Sequence, residues 1–383
     1  MKEIRDIIRA YDEAVAAGKQ IALATVVHLE GSSYRRPGAR MLITEEGEMT
    51  GAISGGCLEG DALLKAQHVM ARNQARVITY DTTDDDSALA IGLGCNGIVR
   101  ILIEPIDPSD PFNQVSYLKK ITADRKRSVL VTLFSLDSRH ANQKGTCLLM
   151  HENGDYESSY SGLLEESIIP AAKIALEEGK SSFKKYVSSQ GTEIAFVELI
   201  NPAVSLIIFG AGNDVVPLVN MAELLGWTTT VIDGRASYAR EERFVSGCQV
   251  VVSKPESAFE HIHVDERTVF ALMTHNYQYD KAILKILSTR SPVYVGMLGP
   301  SKKLGKMLEE FSEEGSVISE SFLETVHSPV GLDIGAETPE EIALSILSEI
   351  QSRTTGRTGG SLRQRNNEIH PREDTRIEER KLE

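Results

Sequence analysis

The 383-residue chain is short of basic residues: 41 Lys and Arg stand against 55 Asp and Glu, a formal charge of −14. That balance argues against nucleic acid as a main partner, because phosphate binding needs a basic surface. It argues equally against an anionic membrane surface. Apolar runs are short as well, and none approaches the roughly 20 residues that would cross a bilayer. Cysteine is scarce. Cys57, Cys95, Cys147 and Cys248 are widely spaced and fit no zinc pattern. The N-terminus, Met1 to Ile8, carries no signal-peptide pattern and reads as an amphipathic helix with Ile4, Ile7, Ile8, Tyr11 and Val15 on one face. The expected compartment is the cytoplasm, where the four cysteines would be thiols. There is no internal repeat.

What is present divides the chain in two. From Val204 onward it alternates short apolar runs with amphipathic stretches. Strands are expected at 204–209, 229–233, 249–253, 268–273 and 293–298, with helices between them, which predicts a parallel sheet with right-handed crossovers. At its head, Leu206 to Phe209 runs straight into Gly210-Ala211-Gly212-Asn213-Asp214-Val215 and then a helix. A second strand follows and ends on Asp233, 21 residues after Gly212. Strand, glycine turn, helix, strand and acid is the order of a Rossmann dinucleotide unit. The glycines would let phosphate oxygens approach a helix N-terminus, and the acid would hold a ribose hydroxyl. Val215 replaces the third glycine of the fingerprint, which predicts a slightly opened turn. Thr338, Pro339 and Glu341 form a helix start with a capping box, for a helix to about Gln351.

Residues 1–200 read as a separate α+β domain with a mixed sheet. The expected elements are a helix over 3–17, strands at 21–28, 39–43, 75–80, 98–104, 129–135 and 146–151, and a helix ending near Arg72. Residues 354–383 are poor in apolar groups and are expected to be loosely attached.

Several loops carry chemistry. Arg35 and Arg36, beside Gly31, suit a phosphate or carboxylate through bidentate hydrogen bonds. Gly55, Gly56 and Cys57 put a thiol at a helix start, where thiol acidity rises, although Glu59 and Asp61 oppose that effect. Cys95 lies among Gly92, Gly94 and Gly97; Cys147 and Cys248 sit in strand patterns and read as core. In the second half, His275 and Asp280 follow a strand end, where ligands of open α/β sheets bind. Gly296 and Gly299, followed by Lys302 and Lys303, repeat a glycine turn before a helix. His327 to Ala336 is a glycine-punctuated loop beside the same crevice. From these residues alone two readings remain open: an NAD(P)-dependent oxidoreductase using Asp233 for ribose and His275 as acid/base, or a nucleotide-binding regulatory protein.

Taken together and in this order, the motifs resemble one family. Gly31 to Gly38, Ser54-Gly55-Gly56-Cys57-Leu58-Glu59 and Gly94-Cys95-Asn96-Gly97 are similar to the N-terminal signature of the XdhC/CoxI family, the xanthine dehydrogenase accessory factors. Phe209 to Gly212, Asp233-Gly234-Arg235, Met273-Thr274-His275, Gly296 to Gly299 and His327 to Gly335 resemble its C-terminal Rossmann domain. Pro300-Ser301 stands where the family often has Ser-Arg. The resemblance implies an α/β protein: an XdhC/CoxI-like domain over 1–200, a Rossmann-like domain over 201–353 and a polar tail. It implies a cofactor chaperone more than a catalyst. Such a protein binds molybdenum cofactor (molybdopterin), holds it during sulfuration by a cysteine desulfurase and delivers it to a xanthine dehydrogenase-type enzyme. The cofactor-binding candidates are then Arg35, Arg36, Gly55, Gly56, Cys57, Glu59, Cys95, Gly210, Gly212, Asp233, His275, Gly296 and Gly299. Cys57 is the candidate molybdenum contact, the Rossmann turn could take a nucleotide, and the expected assembly is a homodimer.

Overall fold

A computed structural model describes residues 1–31, 34–81, 97–137, 143–160, 163–189, 191–365 and 377–381. The chain separates into two compact units, one built on residues 3–202 and joined by the strand at 377–381, the other spanning 203–365.

The first unit departs from the expected single mixed sheet: it holds two. Strands β1 (Ile21–Gly31), β2 (Arg40–Thr44), β3 (Met49–Gly51), β4 (Arg76–Asp81) and β5 (Gly97–Ile106) form an antiparallel sheet in the order β3-β2-β1-β5-β4. Strands β6 (Ser128–Phe134), β7 (Gly145–His151), β8 (Tyr156–Ser158), β9 (Ser182–Ser188), β10 (Gly191–Ile200) and β17 (Ile377–Lys381) form the other, in the order β17-β9-β10-β6-β7-β8.

Side-chain alternation explains the layering. Ala22, Ala24, Val26, Ile101 and Ile103 point to one face of the first sheet, where α2 (Glu59–Arg72) covers them with Ala62, Ala66, Val69 and Met70. Ile21 and Leu23 point the other way and share a core with Leu130 and Leu149 of the second sheet. That core is closed by α1 (Lys2–Ala16), through Ile7, Tyr11 and Ala14, and by α3 (Gln114–Ala123), through Val115, Leu118 and Ile121. The far face of the second sheet is covered by α4 (Leu163–Glu178). The unit is therefore helix, sheet, sheet, helix. A strand buried on both faces loses the polar alternation that would have separated one sheet from two, which is why the sequence suggested one.

The tail also differs from expectation. Residues 377–381 form a parallel strand against β9, with Glu379 paired to Lys185 at 3.0 Å and Glu378 paired to Lys184. The rest of the polar tail from Asn366 lies outside the described residues.

The second unit follows the sequence closely. Strands β11 (Ser205–Phe209), β12 (Thr228–Asp233), β13 (Gln249–Val252), β14 (Thr268–Leu272) and β15 (Val295–Met297) are joined by a two-residue strand β16 (Val326–His327) that is too short to announce itself. All pair in parallel, in the order β13-β12-β11-β14-β15-β16, the 3-2-1-4-5-6 arrangement of a Rossmann fold. Helices α5 (Val215–Leu224) and α9 (Pro339–Thr354) cover one face, and α6 (Tyr277–Leu287), α7 (Ser301–Glu313) and the one-turn α8 (Glu320–Leu323) the other. The connections from β12 to β13 and from β13 to β14 hold only 3₁₀ turns, at 241–243 and 255–261, where helices were expected. The capping box of α9 forms as read, with Thr338 and Glu341 exchanging bonds with each other's backbone N–H. Val215 is fully buried as the first residue of α5, part of the core beneath that helix.

Candidate functional site

Pairing register brings the N-terminal motifs to one end of the first sheet. Gly31 closes β1 opposite Gly97, which opens β5; Met41 of β2 lies opposite Gly51, which closes β3. The loop after β1 and the loop before α2 therefore leave the sheet at the same end, where Gly97 opens β5. Cys95 and its neighbours Gly94 and Asn96 lie outside the described residues.

Within the loop before α2, Ser54 acts as the hub. Its buried hydroxyl oxygen accepts from the N–H groups of Gly56 (3.2 Å), Cys57 (3.2 Å) and Leu58 (3.1 Å) and donates to the Glu59 carboxylate. Glu59 accepts in addition from the N–H of Ser54 (2.8 Å) and Leu58 (3.1 Å). Burial pushes the Glu59 carboxyl up, but these donors outweigh it and hold it below the usual carboxylate range. Glu59 is thus a brace for the loop. Cys57 is exposed two residues before α2, and the space beside Gly56 is open. The ring of Tyr34, itself 72 % exposed, lies 3.5 Å from where a Cβ at Gly55 would be, so the two motif loops touch. Arg35 meets Glu3 at 2.5 Å, while Arg36 is exposed. Asp61 accepts from the Tyr80 hydroxyl at 2.8 Å. Cys147 is buried in β7, and burial pushes its thiol up to about 12. Cys248 is only partly buried and precedes β13 instead of lying within it.

In the second unit the strand order reverses between β11 and β14, the place where ligands of open α/β sheets bind. Gly210 has φ +117°, and a Cβ there would fall 2.3 Å from the Met273 carbonyl oxygen. It is glycine because two strand ends press together at this point. Asp233, 3 % exposed, is fully committed. One oxygen accepts from Arg235 N–H and Nε (both 2.9 Å), the other from Ala211 N–H (2.8 Å) and Arg235 Nη2 (2.7 Å). Four donors occupy the four lone-pair positions of a carboxylate. Burial raises this carboxyl, and the Arg235 guanidinium with the two N–H bonds lowers it further still, below the usual range. A ribose diol would have to displace Arg235 to reach it.

His275 follows β14 with φ +55°, its side chain 60 % exposed, and its Nε2 lies 3.1 Å from Asp214 Oδ2. Thr274 and Asp280 anchor that loop: the Thr274 hydroxyl donates to Asp280 at 2.6 Å, and Asp280, fully buried, also accepts from Lys303 Nζ at 2.5 Å. Lys303 donates as well to the Leu298 carbonyl (3.1 Å), so it holds the turn containing Gly296 and Gly299 to the His275 loop. Lys302 is exposed at the start of α7. Arg243, which sequence reasoning passed over, braces the glycine turn by donating to the carbonyls of Ala211 and Tyr238 (both 2.6 Å) and to Asn213 Oδ1 (2.9 Å). Nothing local marks it, since it lies 30 residues from its partner in a charged segment. The loop after β16 is fixed by Glu349 of α9, which accepts from Tyr294 OH (2.7 Å) and Gly331 N–H (2.9 Å) and pairs with His327 at 3.3 Å. Among the described residues no group of three or more His, Cys, Asp or Glu is placed to hold a metal ion, and no helix is long and apolar enough to cross a membrane.

Comparisons with known proteins agree with the Rossmann order of the second unit. Residues 206–350 match the family model described as the XdhC Rossmann domain, and residues 14–81 match that of the XdhC and CoxI family. The chain is 30% identical over 333 residues to a Bacillus subtilis (strain 168) protein described as a probable xanthine dehydrogenase subunit, covering 87% of this chain and 92% of that one. It is 23% identical over 348 residues to the molybdenum cofactor insertion chaperone PaoD of Escherichia coli (strain K12), covering 91% and 88%. A crystal structure of a xanthine dehydrogenase from Bacillus halodurans superposes with a TM-score of 0.72 at 29% identity, over 92% of this chain and 97% of that chain. Two family models that match in chain order, a parallel unit in Rossmann order and a 30% identical relative along nearly its whole length lead to one assignment: the chain belongs to the XdhC and CoxI family.

Proposed function

We propose that this chain binds molybdenum cofactor as cargo and hands it to a xanthine dehydrogenase-type enzyme, holding it while a cysteine desulfurase supplies the terminal sulfur. The relative named as a molybdenum cofactor insertion chaperone, similar over 91% of this chain, supports the cargo. The observation that carries the reading is Cys57: an exposed thiol on a loop fixed by Ser54 and Glu59, with open space beside Gly56. A soft sulfur donor on a fixed loop fits a molybdenum centre with sulfur ligands. Arg35 and Arg36 on the adjacent loop fit the cofactor's phosphate. Cys95 is a second thiol candidate in the same half of the chain. The working species would be a cytoplasmic homodimer.

The test is to purify the protein from cofactor-producing cells and measure bound molybdenum and pterin fluorescence. Cys57→Ala should fold normally yet lose most of its molybdenum and most of its power to activate the client. Full loading and activation in a Cys57→Ala, Cys95→Ala double variant would reject the thiol role. Light scattering at about 42 kDa across a wide concentration range would reject the dimer.

A further inference from the structure

In a dinucleotide site the second glycine of the turn lacks a Cβ so that a pyrophosphate can come close. Here that space is taken by an acid. A Cβ built on Gly212 would lie 2.3 Å from Asp214 Oδ1 and 3.9 Å from His275 Cδ2. Asp214 stands at the N-cap of α5 but makes no capping hydrogen bond; its carboxylate turns back over the glycine and meets His275 instead. The second receptor of a dinucleotide, the acid at the end of β12, is saturated by Arg235 and Ala211. Both places where a dinucleotide would be recognised are therefore set against it: a negative charge faces the phosphates and the ribose acceptor is spent.

The same arrangement suits a different chemistry. Of the four acceptor positions on Asp214, one is used by His275. Beside it the turn offers the N–H groups of Gly212 and Asn213, which make no hydrogen bond to the described residues. Acceptors next to donors at these strand ends complement a planar ring whose edge carries a carbonyl, an amide N–H and an amino group in a row. The carboxylate would take the amide and amino protons in a bidentate pair, and the turn would donate to the carbonyl.

We propose that the crevice formed by Gly212, Asp214 and His275 binds the 2-amino-4-oxopyrimidine edge of a pterin or a guanine, and not a nicotinamide dinucleotide. A pterin is the source expected if the cofactor-carrier reading holds, and the inference rests on that reading for this choice of source only. Asp214 contacts the ring; His275 positions the carboxylate, and Asp280 and Lys303 position His275.

Equilibrium dialysis of the full chain against pterin, GMP, NADH and NADPH tests this. Pterin or GMP should be retained while NADH and NADPH are not, and retention of pterin or of GMP identifies the source. Asp214→Asn puts an amide donor against the ring's own donors and should weaken the retained heterocycle at least tenfold, with an unchanged melting temperature as the folding control. Asp214→Glu, which displaces the carboxylate by one methylene, gives a second readout of the same kind. Retention of neither heterocycle, tighter binding of NADH or NADPH, or heterocycle affinity within twofold of the parent in both folded variants overturns the proposal. The carrier reading fails separately. It is read by molybdenum content, which Cys57→Ala should lower while heterocycle dialysis stays unchanged.

Discussion

Glu104 in the first unit and Glu349 in the second are both buried carboxylates, 2 % and 7 % exposed, each accepting three hydrogen bonds, yet they titrate in opposite directions. Burial pushes both up. Glu104 receives its bonds from neutral groups, Gln114 Nε2 (2.8 Å), Thr146 N–H (2.8 Å) and Thr146 Oγ1 (3.0 Å), and burial wins, so its carboxyl stays above the usual range. Glu349 receives His327, Gly331 N–H and Tyr294 OH, and the imidazole with the other two donors brings it down to about 2. Asp233 behaves like Glu349, with a guanidinium in place of the imidazole. Glu59 is lowered by neutral donors alone where burial is shallower, so the number of hydrogen bonds does not by itself set the direction; the depth of burial they must offset decides as well, and a guanidinium at bonding distance, as on Asp233, adds to the donors.

The largest effect should come from removing such a partner. Arg40, nearly inaccessible, is bonded through both Nη atoms to Glu198 across the two sheets of the first unit. Arg40→Leu leaves the Glu198 carboxylate, 12 % exposed, without its cation and should cost about 3–5 kcal/mol in urea unfolding. A loss under about 1 kcal/mol would mean that the cation is dispensable and break the comparison. Next comes Glu349→Leu, which strands the Tyr294 hydroxyl and the Gly331 N–H and should cost about 2–3 kcal/mol.

The pH dependence follows in size and has opposite signs at the two acids. Glu349 has a folded pKa of about 2 against an ordinary 4.5, so its contribution is present above the ordinary value and lost as pH falls toward 2. Glu349→Gln should flatten that acid limb of stability against pH. Glu104 is raised when folded, so its contribution is complete below its unfolded value and lost as pH rises through the folded one. Glu104→Gln, a mimic of the protonated acid, should change stability at low pH by no more than about 1 kcal/mol and remove the loss on the alkaline side. If the two variants bend the stability curve in the same direction, the assignment of charge to the two sites is wrong.

The two units also differ in how much of them the sequence displayed. In the second unit each strand is a short apolar run closed by glycine, acid or polar residues, and each crossover is local, so the parallel sheet and the positions of Gly210, Asp233 and His275 could be read by eye, while the strand order came from the structure. The first unit hides α3, α4, β9 and β10, because strands buried on both faces and helices of mixed composition carry no clean period. Its candidate loops were legible from glycine, arginine and cysteine in short motifs. That Ser54 ties the Cys57 loop together through Glu59 was not, since serine before glycine is common in any turn.

Local sequence sets which stretches turn, which alternate and which residue types stand at strand ends, because glycine, capping residues and apolar period act over a few residues. It therefore determined the family and the Rossmann half of the fold. Only the tertiary structure decided what the charged side chains do. It gave Asp233 the Ala211 N–H across 22 positions, set Asp214 against His275 across 61 and joined Arg40 to Glu198 across 158. The physical reason is that a charge inside or at the edge of a protein is governed by whatever partner the fold brings within about 3 Å, and chain proximity does not specify that partner.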